Sequence, residues 1–295
     1  MDDGGTRWIE RHLGDRARAV LPAPVAEVAM FVLKQGWACL FGGLLLLALL
    51  VTDALWDPAW PVARYDALLV FALLTRAAFL RWRLETWAEA RVILLFHLTG
   101  TAMELFKVSA GSWAYAEPAL LKVMGVPLFS GFMCAAVGSS MARVIRIFDM
   151  RFAPYPPWWV TVLVALAIYA NLFLHRWPPD ARWALFALTV LVWGRTRVSF
   201  RVHARRFGRR RWMPMVAVGL LSAGALWVAE AVGTGTGTWL YGGRPEGGVS
   251  LAKLGPRYLL LWVAFVTVTV VDRRALQIRP RQRRTASVPP AATKP

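Results

Sequence analysis

AMELFKVSAGSWAYAEP (Ala102–Pro118) and VAEAVGTGTGTWLYGGRP (Val228–Pro245) are one motif written twice. From Glu104, the steps to Gly111, Trp113 and Tyr115 are 7, 9 and 11 residues; from Glu230 to Gly237, Trp239 and Tyr241 they are again 7, 9 and 11. Ser112 and Thr238 match as small hydroxyls, and the offset between the copies is 126. Downstream, GVP (Gly125–Pro127) and GP (Gly255–Pro256) each open an apolar run. Upstream, VARYDALLVFALL (Val62–Leu74) resembles DARWALFALTVLV (Asp180–Val192) at an offset of about 118. Self-similarity at this distance marks a duplicated unit.

The motif sits in a chain of 295 residues, 57% hydrophobic and 18% charged, with a mean hydropathy of +0.46. An ordinary soluble domain is about 45–50% apolar and about 25% charged, so this composition points to an integral membrane protein. Lys+Arg number 35 against 17 Asp+Glu, a formal charge of +18, with a pI near 11.3. Such a pI often signals nucleic-acid binding, but not together with this hydropathy. Two cysteines, Cys39 and Cys134, cannot build a disulfide framework.

A bilayer core about 30 Å thick needs roughly 20 apolar residues of helix. Eight runs approach that length: 36–56, 65–80, 91–109, 126–145, 158–175, 183–199, 214–233 and 256–272. The expected fold is therefore all-α and polytopic, with about eight transmembrane helices and no evident strands. With the N-terminus cytoplasmic, 26 of the 35 basic residues fall inside, eight outside as loop charges, Arg64 and Arg257 among them, and Arg76 within a span. That bias predicts both termini in the cytoplasm and a multi-pass protein of the inner (plasma) membrane. Four spans per unit is an even number, so the two units insert in the same orientation as parallel repeats. The expected divisions are 1–35 (basic cytoplasmic leader), 36–152 and 153–272 (four-span repeats), and 273–295 (basic disordered tail). The leader reads either as a surface helix carrying Trp8, Leu13 and Val20 or as an unstructured basic segment. The runs Arg201–Arg211 and Arg273–Arg284 read as loop charges attractive to anionic lipid headgroups, not as a nucleic-acid site.

Each glutamate lies 7 residues, or roughly 10 Å of helix, before the glycine that ends its span. A carboxylate at that depth needs partners, and such residues face a bundle interior or a wet cavity. The predicted site is a pseudo-symmetric outward pocket, floored by Glu104 and Glu230 and walled by Trp113, Tyr115, Trp239 and Tyr241. An aromatic belt at the membrane surface is the plainer reading of the same rings. His97, two turns before Glu104, shares its helix face, whereas the position 126 further on is Ala223. Lys107 is expected to pair with Glu104 or to reach the headgroups, Arg76 to snorkel, and Asn171 to bond a neighbouring helix. Gly138–Ala142 suits close helix packing. His12, His97, His175 and His203 fall at different depths, so no metal and no cofactor are expected.

HLTGTAMELFKVSAGSWAYAEPALLKVMGVPLFSGFMCAAVGSSMARVIRIFDMRF (His97–Phe152), AIYANLFLHRW (Ala167–Trp177), WVAEAVGTGTGTWLY (Trp227–Tyr241) and SLAKLG (Ser250–Gly255) carry a family resemblance. They resemble the YoaT-like family, bacterial membrane proteins grouped as domain of unknown function 817, across about residues 30–272. The likeness implies a membrane topology and no activity. Glu104, Gly111, Trp113, Tyr115, Gly125, Pro127 and Leu128 are also similar to a pattern in the membrane domains of lycopene cyclases. There a pair of acids follows Pro-Leu; here Phe129, Ser130 and Gly131 follow. That second likeness implies a fold suited to a long apolar isoprenoid.

Three functions stay open at this point. One is a lipid-embedded enzyme using Glu104 and Glu230 as acids on an isoprenoid-like substrate, with rings stabilising a cation. The second is a small-molecule carrier or exporter whose halves rock about a midplane site. The third is a non-enzymatic scaffold. The expected partners are membrane lipids and a lipophilic small molecule.

Overall fold

A computed structural model describes residues 4–174, 181–202, 210–241 and 251–271. They form ten α-helices: α1 (Gly4–Val20), α2 (Ala23–Ala38), α3 (Leu40–Leu55), α4 (Arg64–Arg81), α5 (Trp87–Ser109), α6 (Phe129–Ile147), α7 (Trp158–Leu174), α8 (Arg182–Trp193), α9 (Met215–Gly235) and α10 (Leu254–Val271). Three are long and apolar enough to cross a bilayer: α5 from Glu89, α9 and α10. The bent pair α2–α3, which turns through 73° at Cys39, makes a fourth if it is one span. The chain is thus a mostly helical membrane protein with three to four such spans.

All eight apolar runs read from the sequence fall on helices, with three changes of extent; the fourth run begins as helix only at Phe129, because Val126 and Pro127 form a strand. Helix extends back from the first run to Ala23 through α2, inside the stretch read as leader, and α1 makes a helix of most of the rest. The sixth run reaches only Trp193; beyond Gly194 the chain turns into a strand.

The expectation of no strands is corrected. Among the described residues, seven short strands form three small sheets: β1 (Trp113–Ala114) with β7 (Leu240–Tyr241); β2 (Lys122–Val123) with β3 (Val126–Pro127); and β4 (Arg151–Ala153), β5 (Arg197–Phe200) and β6 (Arg211–Pro214) in that order. Each is two to four residues long, too short for a period-2 pattern to register. Their partners are distant in the chain or joined by a tight turn, so only the fold reveals them.

Packing follows small residues and rings. α5 starts with a capping box, in which Thr86 and Glu89 satisfy each other's backbone N–H groups. It packs against α6 in the most extensive helix–helix contact among the described residues. A Cβ on Gly100 would stand 2.4 Å from that of Cys134, and one on Gly138 would meet the Phe96 ring at 2.5 Å. This is the close approach that small residues permit between membrane helices. α3 packs on α4 and α6, α7 packs on α8 and α10, and α6 and α10 meet each other. Around α10 the core holds Ile168, Tyr258, Phe265 and a stacked Trp193–Trp262 pair, ring centroids 4.2 Å apart. The tail 273–295, His175, His203 and the centre of the Arg201–Arg211 run lie outside the described residues.

Candidate functional site

Both copies of the motif end their helices in the same way. α5 closes with Gly111 at φ +66°, its N–H bonded to the Val108 carbonyl at 2.9 Å and the Ser112 N–H to that of Lys107 at 2.9 Å. α9 closes with Gly237 at φ +61°, its N–H bonded to the Thr234 carbonyl at 3.1 Å and the Thr238 N–H to that of Gly233 at 3.0 Å. These are paired Schellman caps, whose left-handed residue is glycine because a Cβ is costly there. Each cap turns the following Trp-x-Tyr back across its helix end. The two segments meet as β1 and β7, antiparallel, with Trp113 opposite Tyr241 and Ala114 opposite Leu240.

Glu104 is buried beneath this strand pair. The Trp113 indole Nε1–H and the Tyr115 hydroxyl both donate to its Oε2, each at 2.8 Å. Burial holds the Tyr115 phenol well above its ordinary range, and the adjoining Glu104 charge adds to that. Glu230, equally buried, is held differently. Arg257, in the first turn of α10, donates from Nε and Nη2 to its two carboxylate oxygens and from Nη2 to the Tyr241 hydroxyl at 2.7 Å. The Trp113 and Tyr241 rings meet edge-on at 5.9 Å.

Matched sequence therefore yields unmatched chemistry: neutral ring donors on Glu104, a bidentate guanidinium on Glu230. Trp239 also differs from Trp113. Its ring lies directly on Gly233, where a Cβ would come within 1.8 Å of it. Trp239 packs with the cluster around Tyr65, Trp113, Tyr115 and Phe129.

Basic groups complete the site. Lys107 lies over the Trp113 ring, 5.4 Å from its centroid, and Lys253 sits over the Tyr241 ring. Burial pushes the Lys253 ammonium down to about 8, against the opposing pull of Glu230. Arg64, at the start of α4, reaches across to the second motif. It donates to Glu117 at 2.6 Å, to the Thr236 carbonyl at 3.2 Å, to Thr238 Oγ1 at 3.4 Å, and to Thr52 and the Leu49 carbonyl of α3. The Tyr65 hydroxyl donates to the Thr238 carbonyl at 2.7 Å. Asp66 accepts the Leu120 and Leu121 N–H groups, at 2.8 and 3.0 Å, and so fixes the loop that follows the first motif.

Of the predicted site residues, Glu104, Trp113, Tyr115, Glu230, Tyr241 and Trp239 come together. His97 lies apart from them, deeper in the α5–α6 interface. Its ring packs on Phe132 at 4.5 Å, and its Nδ1 and Thr101 Oγ1 crowd Gly131, where a Cβ would stand 2.5 and 2.4 Å from them. Arg64 and Arg257 read as outer loop charges in the sequence; both turn inward. Their signal was an arginine in the first turn of an apolar helix, level with the buried acids.

A family model described as "Protein of unknown function (DUF817)" matches residues 27–265. The chain belongs to the DUF817 family. This DUF817 protein is 36% identical over 246 residues to the uncharacterised protein YoaT of Bacillus subtilis (strain 168), covering 83% of this chain and 91% of that one. Among solved structures it is similar to MvINS, a mycobacterial Insig homologue from Mycobacterium vanbaalenii, at 18% identity and a TM-score of 0.41, covering 64% of this chain and 97% of that one. A cross-linked MvINS trimer gives 18% identity and a TM-score of 0.44, with coverages of 66% and 98%.

Proposed function

We propose that this DUF817 protein binds a lipophilic small molecule from the outer leaflet, with Glu104 receiving the ligand's polar group. The observation that carries this reading concerns α5 and α9. These helices bear the two acids, yet they make little contact with each other below the β1–β7 pair that joins their ends. Buried acids and half-buried bases beneath such a roof, with aromatic walls, suit an amphiphile whose polar end needs a partner. Glu230 is committed to Arg257, whereas the donors on Glu104 are neutral side chains that a ligand can replace.

The same reading takes the chain as eight spans in two parallel repeats, 36–152 and 153–272, with both termini cytoplasmic in the inner membrane. Three observations support it. The eight apolar runs all fall on helices; the α3–α4–α6 packing is matched by α7–α8–α10; and Ala114 and Leu240, paired across the strands, are related by the motif offset of 126.

The test is extraction of the full chain into native polymer-bounded discs, followed by mass spectrometry of the bound small molecules. A species enriched over bulk lipid in the parent and depleted by Glu104→Gln and Trp113→Phe is expected. An extract that matches bulk lipid, or one untouched by Glu104→Gln, refutes the reading. A second reading, a purely structural latch between the halves, is favoured by the Arg257–Glu230–Tyr241 cluster and the reach of Arg64. It expects the same variants to change stability alone.

A further inference from the structure

At the end of the bundle opposite the motif pair, α4 and α6 bury two arginines that the outer site does not use. Arg76 is 7% exposed and Arg143 only 1%. Arg76 Nη1 donates to Glu85 Oε1 and faces Ser139 Oγ at 3.4 Å, and Ser139 donates to that same oxygen at 3.1 Å. Arg143 Nη2 lies 4.0 Å from Glu85 Oε1 and donates to the Leu84 carbonyl at 2.8 Å. Phe41 and Phe79 flank the guanidiniums, 3.4 Å from Arg76 and 4.8 Å from Arg143.

The next acid, Glu89, is already committed. It takes Arg146 at 2.9 Å and serves as the capping partner of Thr86. Two buried guanidiniums therefore share one carboxylate, which leaves one positive charge without a counter-charge among the described residues. Four of their donors also lack a partner there: Arg76 Nε and Nη2, and Arg143 Nε and Nη1. Nε and Nη2 are the side edge of a guanidinium, the fork that meets two oxygens of one anion. On Arg76 that whole edge is buried and unpaired.

We propose that this cluster is a binding site for a phosphate-type oxyanion. Arg76 offers a bidentate edge and Arg143 two further donors, which suits an anion with several oxygens better than a second carboxylate. One uncompensated charge matches a monoanion, such as a phosphodiester or dihydrogen phosphate. A phospholipid headgroup and free phosphate share that chemistry. The cluster lies one turn or two from the helix ends, a depth reached from the membrane interface.

The full-length protein in nanodiscs tests this. One arm measures the melting shift on adding inorganic phosphate, with chloride as control, in discs of phosphatidylcholine. The other counts phosphatidylglycerol retained on release from mixed phosphatidylcholine–phosphatidylglycerol discs, by native mass spectrometry. Phosphate stabilisation assigns the free anion, and retention without it assigns the headgroup. In either arm the effect should weaken about tenfold or more in Arg76→Gln and Arg143→Gln, the equivalent of one lost charge-assisted hydrogen bond. The exposed neighbour variant Arg83→Gln should leave it unchanged. Where Arg143→Gln fails to fold, Arg143→Lys keeps the charge, loses the two unpaired guanidinium donors, and should weaken binding similarly. No effect in the parent in either arm overturns the proposal, and so does binding that survives Arg76→Gln undiminished.

Discussion

Replacing Arg257 with Met tests the joint between α9 and α10 most directly. Arg257 donates to both oxygens of Glu230 and to the Tyr241 hydroxyl, and Glu230 is only 7% exposed. Met fills much of the volume and removes all three bonds. What remains is a carboxylate held away from water without its cation, a loss of about 3–5 kcal/mol for a broken buried pair. For a chain of this size, roughly 2–3 °C of melting temperature per kcal/mol gives a drop of about 6–15 °C. The double variant Glu230→Met, Arg257→Met should recover most of it, because an apolar pair of similar volume is often neutral beside a buried ion pair. Sixteen tryptophans make intrinsic fluorescence a suitable thermal readout in discs. A single variant within about 1 kcal/mol of the parent, or a double variant no more stable than Arg257→Met, would refute the reasoning.

Three further outcomes are expected. Gly111→Ala and Gly237→Ala place a Cβ in left-handed caps, and each should lower stability by about 1 kcal/mol in thermal melts; unequal losses would separate the two copies. Gly233→Ala should cost more, about 1–3 kcal/mol, because the new methyl collides with the Trp239 ring, and a shift in tryptophan emission should accompany it. Lys253, pushed down to about 8 by burial, keeps its ordinary value of 10.5 when unfolded, so between those values the unfolded chain binds more protons. Stability should therefore rise as pH climbs from about 8 toward 10.5, and Lys253→Gln should flatten that part of a melting-temperature profile.

Much of the fold was legible because lipid imposes long apolar helices, and those are visible residue by residue. Helix ends were legible where a glycine marks them: Gly111 and Gly237 are local signals carried by their neighbours in the chain. The boundary at Trp193 is marked locally as well, by Gly194 and the arginines at 195 and 197, so the span expected to 199 overran a polar break to reach Val198. The contact of Trp113 and Tyr115 with Glu104 was legible from spacing, because a two-turn separation and a helix-ending glycine bring both rings back over the acid within one segment. Arg64 and Arg76 were misread as loop and snorkelling charges. Their partners, Thr236, Thr238 and Glu117 for one and Glu85 and Ser139 for the other, lie 9 to 174 residues away, and composition cannot say which way a long side chain turns.

The sequence by itself determined that this is a helical membrane protein carrying one acid–glycine–aromatic motif twice, because hydropathy and spacing are properties of the chain alone. Only the tertiary structure decided that the copies differ in chemistry. Trp113 and Tyr115 bond Glu104, while an arginine from α10 takes Glu230 and Trp239 lies over Gly233. The physical reason is that a buried carboxylate is satisfied by whichever donor the packing brings within reach, and packing sets that distance where the local repeat cannot.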